Sequence, residues 1–478
     1  MSYGLTRISM TTEFKEFLPK DSPAVVTTEE FENKFGSATE LILLRAENVL
    51  RAEVFRAMLD LESKIMNSPE LENFAMGAGS YAKIVAEMIP GYENLPDAQL
   101  EIMILNAFMS PYSSKLRGLV NENHTVALIT ISTSPGMSRD ERNRKTDAFL
   151  KIVRGFDENR PEAELEVTGD LVVSREIYGL MDRDNAVLIP AAVVLVLTIL
   201  LLTFKRFSDI AASLAVVGLS ALWAVGIMGL TGLKFTMIHV ALIPLVLGLG
   251  IDYSIHMLNR YHEELRKGSA PLKAASSSMK TTGVAVVLAA VTTIIGFGSF
   301  MASELPAIGT LGIFAALGIG FSFLLSTCFL PALLVLRGGR HIGRREMERG
   351  RIVDRALGKA AGASESYGKF IIAAAVLVTV ACGLMASDIR TEMSFKTFLP
   401  SDVPSMVALD HLSEEFGGRY VMVVLVHGDY MDPKALQEML SVENAAVGKN
   451  EIITGSYSLA STVKEIVKQM YGNVSLED

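Results

Sequence analysis

The sequence predicts an α-helical polytopic membrane bundle joined to extracytoplasmic α+β domains of ferredoxin-like type. Three observations predict it: six long apolar runs in the middle of the chain, basic loops that alternate with neutral ones, and a motif that recurs 381 residues later.

Composition sets the class. Half of the 478 residues are hydrophobic and only 20% are charged. The apolar residues concentrate between about 185 and 390, a membrane pattern rather than a string of soluble domains. A net charge of −9 argues against a nucleic-acid partner, because phosphate binding needs a basic surface. Both cysteines, Cys328 and Cys382, fall in apolar runs, so the polar regions hold no thiol for a disulfide or a metal site. Met1–Ser9 shows no apolar stretch after a basic start, so no signal peptide is read there.

A membrane helix needs about 20 mostly apolar residues to cross the hydrocarbon core. Six runs qualify: Asn185–Phe204, Asp209–Leu230, Phe235–Leu258, Thr282–Ala302, Ala307–Leu336 and Phe370–Ala386. Short cytoplasmic loops are rich in Lys and Arg, which sets the orientation. Lys205 and Arg206 lie between the first two runs. Arg260, Arg266, Lys267, Lys273 and Lys280 lie near or between the third and fourth, and nine basic residues fall between Arg337 and Lys369. The alternate loops, Gly232–Lys234 and Ser303–Pro306, hold one and none. The basic loops therefore share the cytoplasmic side, and residues 1–184 and 387–478 lie outside.

The two outer regions read as copies. Phe14-Lys15-Glu16-Phe17-Leu18-Pro19 matches Phe395-Lys396-Thr397-Phe398-Leu399-Pro400, and Phe35-Gly36 matches Phe416-Gly417 at the same offset. A long-period repeat signals a duplicated architecture, and parallel repeats are one transporter plan. In the second copy the apolar run Phe370–Ala386 precedes the motif; its counterpart in the first would lie before Met1. The expectation is therefore a partial protein with an incomplete second repeat. Its expected parts are an outer domain (1–184), a five-helix bundle (185–336), a basic cytoplasmic loop (337–369), a sixth span (370–386) and the start of a second outer domain (387–478).

Within the first outer domain, Leu41–Leu44, Thr125–Ser132 and Glu164–Thr168 read as strands. Glu53–Met66, Pro96–Arg117 and Arg139–Val153 read as helices. This alternation suggests two ferredoxin-like subdomains split near 118–124. In the second copy, Val421–Val426 reads as a strand.

The chemistry concentrates in Gly248-Leu249-Gly250-Ile251-Asp252-Tyr253-Ser254-Ile255-His256, in the inner half of the third run. An Asp at a membrane helix centre costs about 2.5–3.5 kcal/mol, so it marks a bundle interior, an aqueous cavity or a proton relay. Gly248 and Gly250 beside it, and Gly296 and Gly298 in the next run, let neighbouring backbones approach. His256 lies one turn from Asp252 on the same face, as a relay group or an interfacial residue. No phosphate loop, metal cluster or nucleophile–base pair stands out, so an enzyme is not expected.

The run Gly250–His256 with Asn259-Arg260-Tyr261 resembles the signature helix of the resistance–nodulation–division (RND) superfamily, nearest its MMPL-like branch of exporters for hydrophobic and amphiphilic compounds. Thr292-Thr293-Ile294-Ile295-Gly296-Phe297-Gly298, Pro306, Val167-Thr168-Gly169 and the Phe-Lys-x-Phe-Leu-Pro motif fit the same family, and the bundle is similar to a sterol-sensing domain. The resemblance implies a proton-driven exporter of the cytoplasmic membrane. Outer porter domains would capture a lipid-like substrate, and Asp252 with Tyr253 would carry protons. It implies no cofactor beyond the proton gradient, and a second half or a second copy as partner. The alternative is a lipid- or sterol-responsive module that does not transport.

Overall fold

A computed structural model describes residues 11, 17–35, 38–109, 116, 118–134, 137–158, 163–204, 206–338, 351–386, 400, 402–417, 424–449, 456 and 458–471. It divides into two compact units. One joins Met1–Pro19 to Leu180–Thr397; the other joins Lys20–Gly179 to Phe398–Asp478.

The second unit is built on one sheet. In chain order its elements are α1 (Pro23–Phe35), β1 (Ala38–Arg45), α2 (Ala52–Asn67), β2 (Ala75–Ser80), α3 (Tyr81–Met88), α4 (Asp97–Met109), β3 (Val126–Thr133), α5 (Arg139–Asp157) and β4 (Glu164–Gly169). The strands lie in the order β2-β3-β1-β4, with every neighbouring pair antiparallel. The strands on either side of 118–124 are direct partners, with Leu43 opposite Leu128, so in place of two subdomains split there the structure has one sheet. β2 and α3 were not legible in the sequence. Ala-Met-Gly-Ala-Gly-Ser carries little strand preference, and it pairs at the sheet edge through a register shift between Ala75 and Gly77.

β1 and β3 are apolar on both faces, and both faces are covered. Ile42 and Leu44, with Ala127, Ile129 and Ile131, face a core of Phe55, Met58, Leu61, Phe74, Tyr81 and Phe149 from α2, α3, α5 and their loops. The alternate residues, Leu43, Val126 and Leu128, face the other way onto Leu412. Leu412 belongs to the second copy: it lies in the helix α13, Pro404–Phe416, whose bounds lie 381 residues after those of α1. Among the described residues, this helix of the second outer segment lies against the sheet of the first, in the same unit.

Among the described residues six helices are long and apolar enough to cross a membrane. They are α6 (Asp170–Thr203), α7 (Phe207–Thr231), α8 (Leu242–Arg266), α9 (Pro271–Gly298), α10 (Pro306–Leu324) continuing through a π-turn (Leu325–Phe329) into α11 (Leu330–Leu336), and the apolar part of α12 (Arg351–Ala386). α6 begins in the sheet unit. α7, α8 and α10 pack on one another, with α9 beside α8 and α10. From Phe370 to Ala386, α12 is exposed on every side among the described residues. Two further helices, α14 (Pro433–Lys449) and α15 (Leu459–Tyr471), follow in the sheet unit.

Small residues set the helix contacts. A Cβ at Gly250 would overlap Ser322, one at Gly312 would overlap Phe297 and Phe300, and one at Gly318 would sit 2.5 Å from Val246. Gly248, Gly296 and Gly298 have nothing within 4 Å of that position. Of the four glycines expected to pack, only Gly250 does so among the described residues. For the first pair the reason is angular: residues two apart point about 200° apart on a helix, so 248 and 250 cannot meet one neighbour. The motif residues Phe14-Lys15 and Phe395-Lys396 lie outside the described residues. So do Val421–Val423, and Val424–Val426 is not in a strand.

Candidate functional site

The site is the face of α8 that no described helix covers. Gly250, Tyr253, Ser254, Met257 and Tyr261 point into the bundle and are buried. Gly248, Leu249, Asp252, His256 and Asn259 are exposed. The exposed residues recur at intervals of three and four, which places them in one stripe along the helix. Glu263 continues it, held by Arg260 Nη1 at 2.6 Å and Lys267 Nζ at 2.7 Å. A membrane helix thus carries a carboxylate, an imidazole and an amide on its one open face.

Consecutive residues on a helix diverge by about 100°, and Asp252 and Tyr253 separate accordingly. Asp252 is on the open face. Tyr253 is 5% exposed and packs with Val286, Ala290 and Ile319. Its hydroxyl faces Thr293 of α9, which donates to the Ala289 carbonyl at 2.7 Å. His256 lies one turn from Asp252 on the same open face.

A second histidine was not singled out in the sequence. His239 is fully buried in the 3₁₀ turn Met237–Ala241 that opens α8. The Thr236 N–H donates to its Nδ1 at 3.1 Å, which leaves Nε2 as the donor to Thr310 Oγ1 at 3.0 Å. It ties the start of α8 to α10. The available signal was Thr-x-x-His before an apolar run, the spacing of a capping box.

In the sheet unit, Glu40 of β1 is fully buried. It accepts from the backbone N–H groups of Leu171 at 3.0 Å and Val172 at 3.2 Å, in the first turn of α6. Burial pushes its carboxyl up to about 8, against the opposing effect of the two N–H donors. Gly169, opposite Glu40 in the sheet, has φ +141°, and a Cβ there would overlap the carboxylate. This joint explains the glycine of Val167-Thr168-Gly169. Among the described residues no cluster of His, Cys, Asp and Glu could hold a metal ion.

The sequence matches the MMPL family over residues 92–361, more than half of the chain. It is 26% identical over 350 residues to a Methanocaldococcus jannaschii protein named only as a membrane protein, covering 70% of this chain and 87% of that one. It is 32% identical over 206 residues to the hopanoid transporter HpnN of Rhodopseudomonas palustris, covering 42% of this chain and 23% of that one. It is 24% identical over 363 residues to the sulfolipid-1 exporter MmpL8 of Mycobacterium tuberculosis, covering 73% of this chain and 33% of that one. The chain thus spans a third or less of the two named lipid transporters. With six membrane-length helices and this match, it is a multi-pass membrane protein that belongs to the MMPL family of the RND superfamily.

Proposed function

We propose that the chain is a proton-driven exporter, or the first part of one, moving hydrophobic or amphiphilic lipid-like molecules out across the cytoplasmic membrane. The observation that carries this reading is Asp252 on the open face of α8. Left against lipid, such a carboxylate would cost about 2.5–3.5 kcal/mol. A facing bundle, from a second half or a second copy, removes that cost and encloses a path for protons. The names of the two lipid transporters support the substrate class. The reading gives the chain no enzymatic role and no cofactor.

In this reading the sheet unit is the porter domain. Its strand order β2-β3-β1-β4, with helices after β1 and β3, supports a single ferredoxin-like unit with α3 and α4 inserted between β2 and β3. Asp252 would take protons from the outer side and release them inward. Tyr253 would position α9 through Thr293, and His256 would extend the polar path toward the cytoplasm.

The test is export of a labelled lipid from reconstituted vesicles under an imposed pH gradient. Asp252→Asn, nearly isosteric, should keep expression and lipid binding and lose gradient-driven export. Undiminished export by Asp252→Asn would remove the residue from the mechanism and favour a lipid-binding module.

A further inference from the structure

The interior of the bundle carries a second set of polar groups, on the side of α8 away from Asp252. On α7, Asp209 and Ser213 lie one turn apart, with Val217 one turn further on. Val217 and Ser322 both border Gly250, which puts Ser322 between α7 and α8. One turn from Gly250, Ser254 hydrogen-bonds Ser326 at 3.1 Å. Ser326 sits in the π-turn Leu325–Phe329, a widening of the helix of the kind that recurs at functional sites. Ser213, Ser254, Ser322 and Ser326 are all completely buried.

The seam ends in a charged cluster at the end of the bundle that carries the basic loops. Arg337 Nη1 donates to Asp209 Oδ1 at 2.9 Å. His262 Nε2 lies 3.2 Å from Asp209 Oδ2, close enough for an ion pair but not aligned as a hydrogen bond. His262 is two turns beyond Ser254 on α8. Arg206 and Tyr261 also face a small cavity of about 20 Å³ beside these groups. That volume holds one water.

Three oxygens in this seam have no hydrogen-bond partner among the described residues: Asp209 Oδ2, Ser213 Oγ and Ser322 Oγ. Buried polar atoms nearly always have a partner, and water supplies it where protein does not. Here they fall along one line, from the level of Gly250 to the cavity at Asp209.

We propose that this seam is a hydrated proton site distinct from Asp252, in which water held by Ser213 and Ser322 connects the bundle interior to His262, and His262 exchanges protons with the cytoplasm beside Asp209. Imidazole is the group in the cluster whose ordinary titration range lies nearest neutrality. Asp209 stabilises the imidazolium and Arg337 holds the other carboxylate oxygen in place. The exchange moves one proton between an imidazole nitrogen and water and breaks no other bond. The hydration stands on the buried oxygens alone; the use of the protons rests on the exporter reading.

The experiment uses the full chain, reconstituted, in a background without Cys328 and Cys382. Ser213→Cys and Ser322→Cys report water access through the infrared S–H stretch, which is lost as the thiol exchanges in heavy water. Val216→Cys, fully buried on the adjoining surface of α7, is the dry reference. The expected exchange at 213 and 322 is at least about tenfold faster than at 216, because a wet site exchanges without local unfolding. Equal rates would overturn the hydration. Ser213→Ala gives a second measure: it should melt at or below the wild-type temperature. A higher melting temperature would mean a dry, unpartnered hydroxyl had been removed, and would overturn it too.

Proton movement separates the two readings. In vesicles carrying a pH-sensitive dye, Ser213→Ala should slow gradient-driven proton movement about tenfold, a barrier change of about 1.4 kcal/mol. If the wild type moves protons and Ser213→Ala matches it, the seam is not the path and the exporter reading stands. If the wild type moves none, the exporter reading falls and the proton role of His262 falls with it.

Discussion

His411 and Glu166 meet across 245 residues of sequence: Nδ1 lies 2.7 Å from Oε1 and 2.8 Å from Oε2 of the carboxylate. The contact fixes α13 on β4. Glu415, one turn on, accepts from Arg45 Nη1 at 3.2 Å and from Asn121 Nδ2 at 2.7 Å. The position equivalent to His411 in the first copy is Glu30, which lies 3.5 Å from His427 Nε2. An acid at this position in the first copy is thus an imidazole in the second.

The apolar side of α13 should dominate its docking, because the charged pairs are partly exposed and such pairs contribute about 1 kcal/mol or less. Leu412→Ala is expected to destabilise the sheet unit by about 2–3 kcal/mol. Limited proteolysis of α13 should accelerate accordingly, while His411→Ala has a smaller effect. Equal resistance of wild type and Leu412→Ala would show that α13 does not cover Leu43 and Leu128.

Glu40 should make the sheet unit less stable as pH rises. Burial pushes its carboxyl in the fold up to about 8, from the 4.5 of an exposed glutamate. The folded state therefore holds a proton that the unfolded state has lost between these values. The stabilisation is complete below about 4.5 and is lost as pH rises through about 8, with a slope approaching 1.4 kcal/mol per unit. Melting of wild type against Glu40→Gln from pH 5 to pH 8 measures it, and the variant should show a flatter profile. Parallel profiles would place the titration elsewhere.

The glycines of the bundle should respond unequally. Gly250→Ala meets Ser322 and should cost about 1–3 kcal/mol by overpacking. Gly248→Ala and Gly296→Ala meet no described atom within 4 Å and should be tolerated, with a helix-propensity gain of up to about 1 kcal/mol. Thermal stability in detergent gives the comparison, and Ser322→Gly should restore Gly250→Ala. A Gly248→Ala variant that falls apart in the assembled protein would show that another bundle sits against that face.

The orientation can be checked by labelling. Cysteines at Ser22, Ser401 and Ser364, without Cys328 and Cys382, are treated with an impermeant thiol reagent in whole cells. Ser22→Cys and Ser401→Cys should react and Ser364→Cys should not. The opposite pattern would invert the topology.

The sequence by itself determined the membrane class, the six spans and the positions of β1, β3 and β4; the helices Pro23–Phe35 and Pro404–Phe416 have bounds at the offset of its repeat. These are legible because length, hydropathy and the periods of strand and helix are local properties. It also located Asp252, since a carboxylate within an apolar run is visible without a fold.

Tertiary structure decided which side of each element meets a neighbour. The unbroken apolar run Leu41–Leu44 shows that both faces of β1 are covered, but only the fold shows that Leu412, hundreds of residues later, covers one of them. Likewise, the sequence places Asp252 beside Tyr253, while packing leaves the first on the open face of α8 and buries the second against α9. The meeting of Asp209, His262 and Arg337 was invisible for the same reason: each stands at the end of a different helix. Contacts between distant segments depend on how helices rotate and close against one another, and no local pattern records that rotation.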